Sequence, residues 1–191
     1  MLKFILYSVV LFFTGLSSFF ISRYLADRFK ENRKKVTMLF LILSVGIALL
    51  MLFFFGCTAV TMKGIIISLI FLTSSYQDIK THECDDYIHP MMLVTGFIGV
   101  EVSKLPNMII SAIIVFVIMM VSVIMTKSEI GGADIKFSVA CAFVLGIKGS
   151  LCGLIIGLTL AVIINSIKKT RWEGFAMIPY LAVGFMTAYF I

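Results

Sequence analysis

Two acidic residues stand at the ends of apolar segments, where a charged side chain is unfavourable. Asp78 ends an apolar run in LTSSYQDIKT, and Asp134 precedes another in GGADIKF. An ionisable group at a membrane helix is disfavoured and indicates a functional site. Two carboxyl groups brought close together do not both ionise readily, so one retains a proton. Such a pair can deprotonate a water molecule with one member and protonate a peptide carbonyl oxygen with the other.

Small residues precede the second aspartate. Gly131 and Gly132 have no side chain, so they would let a substrate backbone approach closely and would permit a positive φ, and Ala133 keeps the next position small. A second interpretation is purely structural. Asp78 would then cap or terminate a helix, and Gly-Gly-Ala-Asp would be a reverse turn that ends in an N-cap. The spacing alone leaves both interpretations open.

The elements that must position these residues are membrane helices. The chain is 61% hydrophobic and 14% charged, whereas soluble domains have roughly 45–50% apolar and about 25% charged residues. We therefore predict an all-α, polytopic integral membrane protein with about eight transmembrane helices, forming a single domain over residues 1–191. The eight apolar segments are Phe4–Ser22, Val36–Val60, Gly64–Tyr76, Ile88–Val102, Met108–Met125, Phe137–Ile147, Leu151–Asn165 and Phe175–Ile191.

The distribution of basic residues predicts the orientation. Of the 16 Lys and Arg residues, twelve fall in the odd-numbered loops between these segments. Cytoplasmic loops carry the excess of Lys and Arg, so both aspartate motifs are predicted at the cytoplasmic face of the cell membrane, with both termini outside. The same rule explains the net charge of +6, so we predict the lipid bilayer and no nucleic acid as a partner.

The cysteines and histidines do not predict a metal site or a disulfide scaffold. No two of the four cysteines form a C-x-x-C pair, and three of them lie in apolar runs. His82 and His89, in the loop after Asp78, do not have a zinc-binding spacing. We expect no metal and no cofactor. The cysteines are Cys57, Cys84, Cys141 and Cys152.

The ordered motifs resemble those of a known family. QDIKTHECDDYI followed by GGADIK is similar to the paired motifs of type IV prepilin peptidases and archaeal preflagellin peptidases, which are membrane aspartyl proteases with a GxGD motif. The resemblance implies that Asp78 and Asp134 are the catalytic aspartates. It also implies supporting roles around the second for Gly131, Gly132, Ala133 and Lys136, with Ala133 standing where GxGD has its second glycine.

Two further segments extend the resemblance from about Gly15 to Gly184. GLSSFFISR is similar to the family's first-helix motif, and FAMIPYLAVG resembles its C-terminal motif. The first loop has no cysteine, whereas bifunctional members carry a cytoplasmic insert with paired C-x-x-C motifs there. The resemblance therefore implies peptidase activity without that insert and leaves N-methylation of the product open.

The function implied by the resemblance is removal of the short basic leader from prepilin-like precursors, after a glycine, at the cytoplasmic face. The acidic residues Glu83, Asp85 and Asp86 could attract that leader by charge. Lys136 could anchor its loop at the membrane surface or could approach the aspartates. The alternative is a non-enzymatic transporter or assembly subunit in which the two aspartates bind a cation or a proton.

Overall fold

The computed structural model describes residues 2–125, 131–168 and 175–191. In these residues the regular structure is helical, as the composition predicts. The helices are α1 (Leu2–Arg28), α2 (Arg33–Phe55), α3 (Ala59–Thr81), α4 (Ile88–Gly96), α5 (Leu105–Met125), α6 (Gly132–Lys168) and α7 (Ile178–Tyr189), with one 3₁₀ turn at Val102–Lys104. Lys127, Lys169 and Arg171, which contribute to the predicted orientation, lie outside the described residues.

Among the residues that the structure describes, five helical segments are long and apolar enough to cross a membrane, so the chain is a multi-pass membrane protein. They are Lys3–Arg28, Arg33–Phe55, Ala59–Thr81, Val102–Met125 and Gly132–Ile167. The predicted count of eight spans is not confirmed. The fourth predicted segment forms only the nine-residue helix α4, which is about 14 Å long, so a crossing of the ~30 Å hydrocarbon core there also needs the residues that flank this helix.

The sixth and seventh predicted segments belong to one helical stretch with a break inside it. Gly146 has φ 71° and ψ −179° within α6, a conformation that a residue with a Cβ rarely adopts. A Cβ at this position would also lie 2.9 Å from Nδ2 of Asn107 in α5. Gly146 therefore divides α6 into two helical halves, two residues before the predicted loop at residues 148–150.

The chain divides into two compact units, Met1–Thr73 and Ser74–Ile191; the prediction of a single domain stays a prediction. The first unit contains α1, α2 and most of α3. Its core joins the three helices through Val10, Ala48, Leu52 and Ile65. Near the connection between α1 and α2, the Ser22 hydroxyl donates to Thr37 Oγ1 at 3.2 Å.

In the second unit α6 packs tightly against its neighbours. Ser111 of α5 and Ser150 of α6 share a buried hydrogen bond of 2.7 Å between their hydroxyls. A Cβ at Gly184 of α7 would meet backbone atoms of Gly153 and Gly157 in α6. Small residues at such crossings let membrane helices approach at backbone distance. This crossing fixes α7, whose first residue contacts Asp78.

Candidate active site

Asp78 lies in the last turn of α3 and is only 5% exposed. Its Oδ2 accepts a hydrogen bond of 2.9 Å from the backbone N–H of Ile178, the first residue of α7. The first N–H groups of a helix have no acceptor within the helix and carry the positive end of its dipole. Pro179 fits this turn because it needs no acceptor. The C-terminal motif therefore supplies the partner that holds the first aspartate.

Asp134 lies in the first turn of α6, and its backbone N–H donates to the Gly131 carbonyl at 3.2 Å. A Cβ on Gly131 would lie 3.1 Å from Asp134 Oδ2, so a side chain there would crowd the carboxylate. Among the described residues, no atom other than those of its chain neighbours and its own helix backbone lies within 4 Å of a Cβ built on Gly132, so the space there is open. The absence of a side chain at Gly131 therefore leaves room for the Asp134 carboxylate.

The electrostatic environment of the Cys84 thiol indicates that the two aspartate motifs lie close together. The pKa of Cys84 is raised to about 12. Burial is the largest cause, and the negative charges of Asp78, Asp85, Asp134 and Asp86 add to it. Asp134 also interacts electrostatically with the negative charge of Asp78. Carboxylates from the end of α3, the loop after it and the start of α6 thus share one partly buried region.

Gln77 fixes the loop that follows Asp78. Its side chain is 2% exposed, and its Nε2 donates to Asp85 Oδ2 at 2.7 Å and to the Tyr87 hydroxyl at 3.1 Å. The backbone N–H of Asp85 donates to Gln77 Oε1 at 3.3 Å. The buried amide therefore joins the last turn of α3 to the residues just before α4.

Lys136 forms an ion pair in addition to any contact with the membrane surface. Its Nζ donates to Asp86 Oδ1 at 2.9 Å, and both side chains are largely exposed. This hydrogen bond and the positive charge of Lys136 lower the pKa of Asp86. The pair connects the loop after α3 to the first turns of α6, although an exposed ion pair contributes little to stability.

The three acidic residues predicted to attract a basic leader have different environments. Asp85 is bound to Gln77, and Asp86 is bound to Lys136. Glu83 is exposed, and its backbone carbonyl accepts a hydrogen bond from the Thr81 hydroxyl at 3.3 Å. A basic peptide would therefore compete with existing partners at Asp85 and Asp86.

Sequence reasoning missed two contributions to this site. The sequence analysis assigns Gln77 no role beyond its place in the motif. A polar residue at the buried end of an apolar helix nevertheless needs hydrogen-bond partners. The contact between Ile178 and Asp78 joins residues 100 positions apart, and a backbone donor leaves no signature in the side chains.

Metal coordination has no candidate cluster in the described ranges. Within residues 2–125, 131–168 and 175–191, no group of three or more His, Cys, Asp or Glu side chains could hold a metal ion. The expectation of a site without metal stays a prediction.

The comparisons with known proteins point to a single family. The model of the type IV leader peptidase family matches residues 65–167, which is more than half of the chain. The matched range includes Asp78, the loop after it and Asp134. Neither a curated protein nor a solved structure matches the chain.

Proposed function

This chain belongs to the type IV leader peptidase family, and from that premise we propose that it removes the short basic leader of prepilin-like precursors by aspartyl chemistry. Family membership implies a peptidase, and the apolar helices place it in a membrane. The proposal adds the catalytic pair, Asp78 and Asp134, a cut after a glycine, and an active site that faces the cytoplasm.

One observation carries the proposal. Two carboxylates that are 56 positions apart in the sequence lie in one partly buried region, where both act on the Cys84 thiol. Asp78 is also fixed there by the Ile178 N–H. A pair of carboxyl groups with restricted solvent access is the arrangement that general acid–base hydrolysis of a peptide requires.

The reaction needs only the pair and one water molecule. The ionised aspartate accepts a proton from water, and the water oxygen bonds to the peptide carbonyl carbon. The protonated aspartate donates its proton to the carbonyl oxygen, which gives a neutral tetrahedral intermediate. The C–N bond then breaks as a proton passes from the first aspartate to the leaving nitrogen, and the second recovers its proton from the intermediate's hydroxyl. No covalent intermediate with the enzyme is formed.

The precursor would approach with its apolar helix in the bilayer and its leader at the membrane surface. The open space beside Gly132 suits an extended peptide backbone close to Asp134. Glu83 would meet the basic leader first because it is exposed, whereas Asp85 and Asp86 already hold partners. These contacts remain weak in salt, since the Debye length is about 8 Å at physiological ionic strength.

The cytoplasmic orientation rests on charge. Twelve of the 16 Lys and Arg residues lie in the odd-numbered predicted loops, among them the loops that carry the aspartates. The leader of the precursor would then be cut at the cytoplasmic face, where its own basic residues also favour it.

Co-expression with a candidate precursor tests the proposal. The precursor should carry a basic leader, a glycine and then an apolar helix, and the mass of the product's N-terminal peptide should be measured. We expect a product that begins immediately after the glycine, and no cleavage when that glycine is replaced by leucine. Precursors that all keep their leader, in membranes that contain the folded enzyme, would contradict the proposal. The same mass shows whether a methyl group has been added.

The non-enzymatic alternative depends on the same two aspartates. Binding of a cation or a proton would need no peptide substrate, and it would not explain why the chain matches a family of peptidases. It is the weaker explanation because the matched family consists of leader peptidases and the match includes both aspartates.

A further inference from the structure

A groove opens between the end of α1 and the start of α2, within the first compact unit. It has a volume of about 430 Å³. The hydrogen bond between Ser22 and Thr37 joins the two helices beside it, so the groove is formed without a ligand. Its lining residues are Phe19, Arg23, Arg33, Lys34, Lys35, Thr37, Met38 and Leu41.

Basic side chains border one end of the groove, and the surface that they present to it is mainly that of their apolar stems. Arg33 is paired with Asp27 at 2.5 Å, which leaves Arg23, Lys34 and Lys35 as the cations available to a ligand. In the described part of the chain, none of these three pairs with a carboxylate. Arg23 lies over the ring of Phe19, 4.6 Å from its centroid, so the guanidinium is held at the border between the charged and apolar parts.

The floor of the groove is apolar. Phe19 lies one helical turn from Arg23 along α1, and Met38 and Leu41 lie one and two turns beyond Lys34 along α2. One turn is about 5.4 Å, so the groove changes from cationic to apolar along the helix axes. Both helices are long and apolar enough to cross a membrane, so this direction leads from the membrane surface into its core.

The chemistry of the two ends excludes most small ligands. A soluble phosphate would use the cations but would leave the apolar floor exposed. A neutral lipid would cover Phe19, Met38 and Leu41 but would leave three positive charges without a partner. A molecule with an anionic head and a long apolar chain satisfies both ends.

We propose that this groove binds one anionic phospholipid, with its headgroup on Arg23, Lys34 and Lys35 and one acyl chain along Phe19, Met38 and Leu41. Binding would join the ends of α1 and α2 at the membrane surface. The site is independent of the proposed peptidase chemistry, because none of its residues belongs to the candidate active site.

Native mass spectrometry of the full chain in a neutral detergent tests this proposal. Phosphatidylglycerol and phosphatidylcholine with identical acyl chains are titrated separately. We expect one phosphatidylglycerol to bind with at least tenfold higher affinity than phosphatidylcholine, and millimolar glycerol phosphate not to displace it. Equal retention of both lipids by the wild-type protein would overturn the proposal, as would displacement by glycerol phosphate.

Variants locate the site. Arg23→Gln, Lys34→Gln and Lys35→Gln combined should abolish the preference for phosphatidylglycerol. The matched control removes three positive charges elsewhere, by Lys3→Gln, Lys104→Gln and Lys148→Gln, and should retain it. Met38→Gln, at a residue that is 68% exposed, should weaken binding of phosphatidylglycerol several-fold. An equal loss in the control would show general charge attraction instead of a site and would overturn the proposal. If the triple variant fails to fold, the three single variants replace it.

Discussion

At the scale of single residues, Asp78 and Asp134 are associated with the N-terminal ends of different helices. Asp78 accepts the first N–H of α7, and Asp134 lies in the first turn of α6. A helix N-terminus stabilises a carboxylate through its unpaired N–H groups and its dipole. Asp134 is therefore not the N-cap that the structural interpretation expected, because α6 begins at Gly132 and Asp134 lies inside its first turn. A place in the first turn is compatible with the proposed catalytic role.

The sequence singles out the two aspartates by their places at the ends of apolar runs and by the resemblance of their motifs to a family; their catalytic role stays a prediction. Their surroundings could not be predicted equally well. The partner of Asp86 is Lys136, 50 positions away, and the sequence analysis did not predict this pair. The actual pairing depends on how the loop after α3 meets α6.

Alkylation of Cys84 provides a prediction that does not depend on activity. Because the pKa of Cys84 is raised to about 12, the thiol stays protonated at pH 8 and should react with iodoacetamide far more slowly than the exposed Cys57. Asp134→Asn removes a negative charge that raises this pKa, so Cys84 should react faster, about tenfold for each unit by which the pKa falls. Mass spectrometry of labelled peptides measures both rates.

The control for this experiment is Glu101→Gln, an exposed carboxylate outside both motifs, which should leave the rate at Cys84 unchanged. An Asp134→Asn variant with the wild-type rate would show that the second motif does not lie near Cys84.

Gln77 provides a second prediction at this scale. Gln77→Met keeps the volume but removes the hydrogen bonds to Asp85 and Tyr87. At about 1 kcal/mol for each bond, more where a buried partner stays unsatisfied, we expect a loss of about 2–4 kcal/mol in stability and a lower cleavage rate. Tyr87→Phe removes the bond between Gln77 and the Tyr87 hydroxyl but keeps both bonds between Gln77 and Asp85, so it should have a smaller effect. Thermal unfolding in detergent measures the difference, and equal stabilities for all three proteins would contradict this role of Gln77.

At the scale of helices, α7 connects packing to chemistry. It is only 12 residues long, yet its first residue binds Asp78 and Gly184 in its middle meets the backbone of α6. A shift of α7 away from α6 would therefore also move the Ile178 N–H away from Asp78.

Gly184→Val tests this connection. A side chain at this position meets backbone atoms of Gly153 and Gly157, which cannot rotate away. Overpacking of this kind is unfavourable by roughly 1–3 kcal/mol, and we expect cleavage to fall by more than tenfold although Gly184 contacts no substrate. The control is Gly46→Ala in α2, where a Cβ meets no atom within 4 Å. Its cleavage rate should be that of the wild type. A fully active Gly184→Val variant would show that the position of α7 does not control Asp78.

The sequence predicts most helices well but not the shortest ones. Long apolar runs such as Val36–Val60 give α2 almost directly, because a membrane helix needs only length and hydrophobicity. The fourth predicted segment continues to Val102, whereas α4 ends at Gly96. The break in α6 appears in the sequence as a loop near Lys148, but the special conformation is at Gly146. Helix ends depend on local packing, such as the close approach of Asn107 to Gly146. The hydrophobicity of a segment does not predict packing of this kind.

At the scale of the whole molecule, the asymmetric distribution of Lys and Arg determines how the protein sits in the membrane. Cys57 lies between α2 and α3, at the end of the second predicted segment that should face outside. A variant that retains Cys57 and carries Cys84→Ser, Cys141→Ser and Cys152→Ser should react with a membrane-impermeant maleimide in intact cells. A second variant that also carries Cys57→Ser and has Glu31→Cys in the first loop should react only after permeabilisation. The reverse pattern would place the aspartates outside.

The central claim is that Asp78 and Asp134 together hydrolyse the leader peptide bond, and purified enzyme with a cleaved precursor tests it most directly. Rates of leader release are measured for the wild type, Asp78→Asn, Asp134→Asn and the control Glu101→Gln, after equal folding has been checked by thermal unfolding. We predict a wild-type rate for the control and a loss of at least a thousandfold for each Asp→Asn variant, since each carboxyl group has a proton-transfer role that an amide lacks. Substantial cleavage by either folded Asp→Asn variant would contradict the account.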